Sequence, residues 1–190
     1  MSEKKKLAIF ASGSGTNAEE ICKHFHGNSD VQVVLLLSNK SDAYALERAQ
    51  KHKVETRVFN RAQFQDETVL GWLKDAEVTH IVLAGFLWLI PEHLIKKFPN
   101  RIVNIHPALL PKYGGKGMYG STVHEAVKAS GDTETGITIH LVNESYDDGK
   151  ILFQTSCEVA ENDSPDDIAK KVHQLEHQHF SKVIEEWVLG

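Results

Sequence analysis

Asn104 and His106 stand two residues apart at the end of the apolar run Ile102–Ile105, immediately before Pro107. An amide and an imidazole finishing a buried strand occupy the place where open α/β sheets hold their ligands, outside the carboxyl ends of the strands. The two residues lie on either side of one strand step, so a break at the strand end would bring them together. Both would then be able to donate hydrogen bonds to an oxyanion developing in a tetrahedral intermediate. The plainer reading is a core amide and histidine satisfied by the backbone. Asp147, in Asp147-Asp148-Gly149, is the candidate third member. A carboxylate brought beside His106 raises its pKa by favouring the imidazolium, although spacing alone fits an ordinary Asp-Gly turn.

A second group is built for phosphate. Gly13-Ser14-Gly15-Thr16-Asn17 falls between a strand and a helix, where small residues let backbone N–H groups approach an anion at the helix N-terminus. With Ala18 it also fits the dinucleotide pattern G-x-G-x-x-A, which needs an acid near the end of the second strand. That place holds Leu37-Ser38-Asn39, without an acid, so a monophosphate is expected rather than NAD. The other reading is a tight turn with no ligand, because a lone glycine motif is a weak signal. A third group, His173-Gln-Leu-Glu176-His177, imitates a zinc-peptidase helix. A catalytic zinc needs a third protein ligand, and the helix adds only His179, two residues on. We read these histidines as a polar helix face and expect no metal.

The elements that must position these residues alternate strand with helix. Strands are expected at 7–11, 31–37, 56–59, 80–84, 102–105, 136–142 and 151–159. Helices are expected at 18–25, from a cap at Ser41-Asp42 to about Lys51, from a cap at Asn60 through Leu73, from Pro91 to about Phe98, from Ser121 to Gly131, and from Ser164 to Val188. Ile137, Ile139 and Leu141 alternate with Thr138, His140 and Val142, the pattern of a half-exposed edge strand. The whole reads as an α/β fold: a single-domain, mostly parallel, doubly wound, Rossmann-like sheet with helices on both faces.

Composition narrows the function further. The 190 residues suit one domain, 1–190, and 41% apolar with 25% charged is an ordinary globular mixture. A net charge of −5 with no basic block argues against nucleic acid as a partner. Cys22 and Cys157 have no paired spacing and fit a reducing cytosol. The charged amino terminus is followed by an apolar run too short for a signal peptide. Ile81–Ile90, the longest apolar stretch, is far below the roughly 20 residues of a membrane span. A soluble cytoplasmic protein with no membrane partner is expected.

Together these pieces are similar to the folate-dependent formyltransferases. The resemblance is carried by Ser12-Gly-Ser-Gly-Thr-Asn17, Ser38-Asn-Lys40, Leu46-Glu-Arg48, Leu83-Ala-Gly-Phe86, Asn104-Ile-His-Pro107, Leu109-Leu-Pro-Lys112, Asp147-x-Gly149 and Glu176-His177, in order and over nearly the whole chain. It implies transfer of a formyl group from 10-formyltetrahydrofolate to the amine of glycinamide ribonucleotide, without a metal, by a monomer or homodimer. By matching positions, Asn104, His106 and Asp147 would be catalytic. Ser14, Gly15, Thr16, Asn17, Pro107 and Glu176 would hold the ribonucleotide, with Glu176 on the ribose hydroxyls. The reduced folate would lie against Arg61, Leu87, Trp88, Leu89, Ile90, Asn104, and the loop Asn143, Glu144, Ser145, Tyr146 and Asp147. Phosphate would thus belong to the N-terminal half, folate and catalysis to the C-terminal half. Departures from the commoner pattern are Asp148, Lys150, Trp88, Thr122 and a long 114–120 loop. The alternatives are a formyltetrahydrofolate hydrolase, another formyltransferase of the same fold, or a phosphate- or folate-binding module without catalysis.

Overall fold

The computed structural model describes residues 3–190; Met1 and Ser2, at the start of the charged amino terminus, lie outside the described residues. The chain runs β1 (Lys5–Phe10), α1 (Thr16–His24), β2 (Val31–Ser38), α2 (Tyr44–Lys51), β3 (Glu55–Val58), α3 (Arg61–Gln65), α4 (Thr68–Asp75), β4 (His80–Leu83), α5 (Glu92–Lys97), β5 (Ile102–His106), α6 (Ser121–Ser130), β6 (Glu134–Leu141), β7 (Ile151–Glu158) and α7 (Pro165–Leu189). The strands form one sheet in the order β3-β2-β1-β4-β5-β6-β7. The first five are parallel; β6 and β7 are antiparallel to their neighbours. The winding direction reverses between β1 and β4, which is the switch point where such sheets open a crevice.

The period of two along each strand feeds two apolar layers. Leu7 and Ile9 pack with residues of α1, α2, α6 and α7 on one face. Ala8 and Phe10 pack with α3, α4 and α5 on the other. The second layer ends beneath the switch point in an aromatic group: Phe59 and Phe64 stack at 4.8 Å, and Phe10 and Phe86 meet edge-on at 5.4 Å. No helix among the described residues is long and apolar enough to cross a membrane.

Four local expectations are corrected. The helix from Asn60 is two helices: Asn60 and Gln63 form a capping box for α3, then Asp66 turns extended and its Oδ1 accepts from the Thr68 N–H at 2.7 Å to start α4. Ser41 and Asp42 do not cap α2. Ala43 is its N-cap with no side-chain bond, and the Ala45 N–H donates to the Gly13 carbonyl at 3.1 Å. β6 is not an edge. It lies between β5 and β7, with Thr138 and His140 buried: His140 lines the cleft, and the Thr138 hydroxyl donates to the Ala108 carbonyl. Finally, β5 does not break before His106. Asn104 and His106 share one face of an unbroken strand because side chains two residues apart point the same way.

His80 lies at the opposite end of its strand from the switch point, edge-on to Trp187 of α7 at 4.9 Å. Burial, helped by the charges of Arg101 and Lys5, pushes its pKa down to about 4 from 6.5. The unfolded chain therefore takes up this proton first. Stability is full above pH 6.5 and falls as pH drops toward 4, by up to about 3 kcal/mol. Urea unfolding at pH 7.5 and pH 4 should show a markedly smaller acid loss in His80→Phe than in the parent chain. Equal losses would place the acid sensitivity elsewhere.

Candidate active site

The loops after β1, β4 and β5 enclose one cleft of about 790 Å³, within the size range of small-molecule sites. Ser12 ties its walls together. Its N–H donates to the Gly85 carbonyl at 3.0 Å, its hydroxyl donates to Asn39 Oδ1 at 2.7 Å, and the same oxygen accepts from the Leu87 N–H at 3.1 Å. The loops following β1, β2 and β4 are therefore tied to one another. Asn39, where a dinucleotide fold would place its ribose acid, is a partner of Ser12.

The glycine loop leads straight into α1, with Gly15 as its left-handed N-cap and no side chain satisfying the first turn. The opening N–H groups of a helix have no intrahelical acceptor and attract anions. Gly15 is required twice over: its φ is +74°, and a Cβ there would lie 2.4 Å from the Ala45 Cα. Arg48 holds the loop from α2, donating from Nε to the Ser14 carbonyl at 2.9 Å and pairing with Glu19. Asn17 Nδ2 donates to Glu176 Oε2 at 2.9 Å, across 159 residues of chain. His173 Nδ1 meets the same oxygen at 2.8 Å, and that bond raises the His173 pKa. His173 thus faces Glu176 and the cleft. Among the described residues, no cluster of three or more His, Cys, Asp or Glu is placed to hold a metal.

Asn104 and His106 of β5 come together with Asp147 from the loop that follows β6. Antiparallel register sets Asn104 opposite His140 and His106 opposite Thr138. His106 Nε2 lies 2.7 Å from the Tyr113 carbonyl. A carbonyl only accepts, so the proton is on Nε2 and Nδ1 is left facing Asp147 Oδ2 at 3.5 Å. The other oxygen of Asp147 is 3.6 Å from His140 Nε2. Asp147 is in left-handed backbone at φ 53°, and its Oδ2 accepts from the Gly115 N–H at 3.0 Å. Burial raises its pKa, but the net shift is downward, with the Gly115 N–H among the groups that lower it, so it is a carboxylate at neutral pH.

Asp147 raises the His106 pKa, as expected, but the net shift is downward. Burial is the largest influence and lowers its pKa; Asp147 and the Tyr113 carbonyl oppose it without overcoming it. A ring that is only 3% exposed loses more from desolvating a cation than one carboxylate at 3.5 Å returns.

Ser14, Gly15, Thr16, Asn17, Pro107 and Glu176 all line the cleft, as do Leu87, Trp88, Leu89, Ile90, Ser145, Tyr146 and Asp147. Three expected residues do not. Arg61 stacks its guanidinium on Trp88, 3.8 Å from the ring centroid. Asn143 and Glu144 fall outside the lining; Asn143 Oδ1 accepts from the Ser145 N–H at 2.9 Å and shapes the loop instead. Sequence reasoning passed over His124, His140 and the cleft-facing part of the 115–119 loop. For His140 the signal was available: it lies on the polar side of the alternation in β6.

Residues 5–184 match the formyl transferase family. A chloroplastic phosphoribosylglycinamide formyltransferase of Arabidopsis thaliana is 43% identical over 95% of this chain, which spans 64% of that relative's length. Another phosphoribosylglycinamide formyltransferase, from Bacillus subtilis, is 35% identical, with 96% of this chain and 94% of the relative covered. The crystal structure of glycinamide ribonucleotide transformylase 1 from Geobacillus kaustophilus superposes with a TM-score of 0.88 at 31% identity, covering 98% of this chain and 100% of that one.

The two loop glycines should respond differently to substitution. A Cβ at Gly13 meets nothing within 4 Å, whereas Gly15 faces both left-handed strain and Ala45. Gly15→Ala is expected to cost upwards of about 2 kcal/mol in urea unfolding, and Gly13→Ala no more than about 0.5 kcal/mol. Equal costs would mean that the approach of α2 does not select the glycine.

Proposed function

The chain belongs to the formyl transferase family, and from that premise we propose that it transfers a formyl group from 10-formyltetrahydrofolate to the amine of glycinamide ribonucleotide, a step of purine biosynthesis. The observation that carries the reading is that one cleft joins an anion-binding helix start to the Asn104, His106 and Asp147 group. The ribonucleotide phosphate sits at Ser14, Gly15, Thr16 and Asn17. Glu176 takes the ribose hydroxyls, and Pro107 closes the cleft beside the reacting amine. The folate lies along Leu87–Ile90 and Ser145–Asp147, with Arg61 acting through its stack on Trp88 and with Asn143 and Glu144 shaping the loop.

The amine is a nucleophile once neutral, so no covalent enzyme intermediate is needed. Its lone pair forms a bond to the formyl carbon while the carbonyl electrons move onto oxygen. Asn104 donates an N–H to that oxyanion, an interaction of the kind whose loss typically costs about 3–4 kcal/mol of barrier. His106 enters neutral. Its Nδ1 takes the surplus proton of the attacking nitrogen, and Asp147 stabilises the imidazolium that results. Collapse of the adduct re-forms the carbonyl and breaks the bond to the folate nitrogen, which receives the proton from His106.

An absorbance assay for the folate product tests the reading directly. Product should form only when glycinamide ribonucleotide is present and fall roughly 10²–10⁴-fold in His106→Ala. Folate deformylated equally fast without the ribonucleotide would replace the transferase with a hydrolase. The pH profile tests the neutral histidine. Because His106 must be unprotonated, the acid limb of kcat/KM is expected below the ordinary imidazole value of about 6.5. Asp147 raises that pKa, so in Asp147→Asn the residual activity should show its limb at still lower pH. A limb that moved upward would exclude this role for the pair.

A further inference from the structure

Asn104 can serve an oxyanion only if its amide nitrogen, not its oxygen, is presented to the cleft. A terminal amide rotated by half a turn has the same shape, so shape alone does not choose between the two orientations. Something next to it must be able only to accept or only to donate. The neighbour across the sheet is His140, set opposite Asn104 by the β5–β6 register and only 2% exposed.

The His140 ring has a defined tautomer. Its Nδ1 is 2.9 Å from the carbonyl of Leu141, which only accepts, so Nδ1 carries the proton. Its Nε2 is 3.1 Å from Asn104 Nδ2, an amide nitrogen that only donates, so Nε2 carries none. The chain is directional: Asn104 N–H to His140 Nε2, then His140 Nδ1–H to the Leu141 carbonyl. The Leu141 position is itself tightly held, because a Cβ at Gly149 would lie 1.6 Å from the Leu141 oxygen. In the opposite amide orientation, Asn104 Oδ1 would face Nε2 and require an imidazolium, with Asp147 Oδ1 at 3.6 Å as its counter-charge.

We propose that His140 is the positioning residue that fixes the orientation of the Asn104 amide, accepting one Nδ2–H so that the other remains the donor to the cleft. The proposal rests on the formyl-transfer reading for its consequence in turnover, but the hydrogen-bond chain exists whatever the reaction. It assigns His140 no contact with substrate and no proton transfer. The imidazole acts entirely through Asn104.

Two measurements test it. Nitrogen-15 NMR of the histidine rings in the unliganded protein at pH 7, with the His140 signals assigned by their loss in His140→Gln, should show Nδ1 protonated and Nε2 bare. An imidazolium, or a proton on Nε2, overturns the proposal irrespective of what the enzyme catalyses. The second is a double-mutant cycle on formyl transfer. His140→Leu should lower kcat about 10²-fold, the scale of losing an oxyanion donor, with KM for both substrates within about threefold. His140→Gln, whose side-chain oxygen can accept from Asn104, should recover most of that loss. In an Asn104→Ala background, His140→Leu should cost less than about threefold. The same 10²-fold loss in both backgrounds, or no recovery with Gln, would show that His140 acts through Asp147 or through the fold and would overturn the proposal. A parent protein without transfer activity would defeat the functional reading alone and leave the NMR result to decide this one.

Discussion

Asp147 is a largely buried carboxylate in left-handed backbone with an imidazole on each side, and the charge and loop geometry of the cleft depend on it. Its oxygens lie 3.5 Å from His106 and 3.6 Å from His140. A lone buried carboxylate would take up a proton. This one remains charged: its Oδ2 accepts from the Gly115 N–H, and its pKa lies below the ordinary carboxylate value. The same N–H contact binds the glycine-rich loop to Asp147, so charge and loop position are set by one group.

The sheet turns this local balance into a site. Reversal of winding between β1 and β4 leaves their following loops diverging, and Ser12 bridges the gap with two hydrogen bonds while a third ties in Asn39 after β2. The antiparallel return of β6 then places a histidine opposite Asn104, which a further parallel strand of this sheet would not do from the same connection. The start of α1 and the Asn104, His106 and Asp147 group thereby line a single cleft. Asn17 and Glu176 join its far ends, which are first and last in sequence.

Burial decides the poise of His106. Low exposure favours the neutral ring, and the nearby carboxylate stands ready to stabilise the cation once a proton arrives. A fully exposed imidazole would gain little from Asp147, since water would screen the pair. A deeply buried one without Asp147 would resist protonation altogether. The observed combination suits a group that accepts and then returns a proton within one turnover.

Much of this was legible in the residues alone. Buried strands such as Val31–Ser38, the Asn60 cap, the Ser164-Pro165 start of α7 and the glycine loop are set by local periodicity and turn chemistry, and they appear where those rules put them. So is the conjunction of Asn104, His106 and Asp147, because their types and order carry a family resemblance. The structure alone decided that β6 is interior, that Asn104 and His106 share a face of an unbroken strand, and that burial lowers the His106 pKa. Only the structure could bring His140 to Asn104 or Arg61 onto Trp88. The reason is physical: periodicity and capping are properties of neighbours in the chain, whereas strand order, register and desolvation depend on which distant segments exclude water from one another.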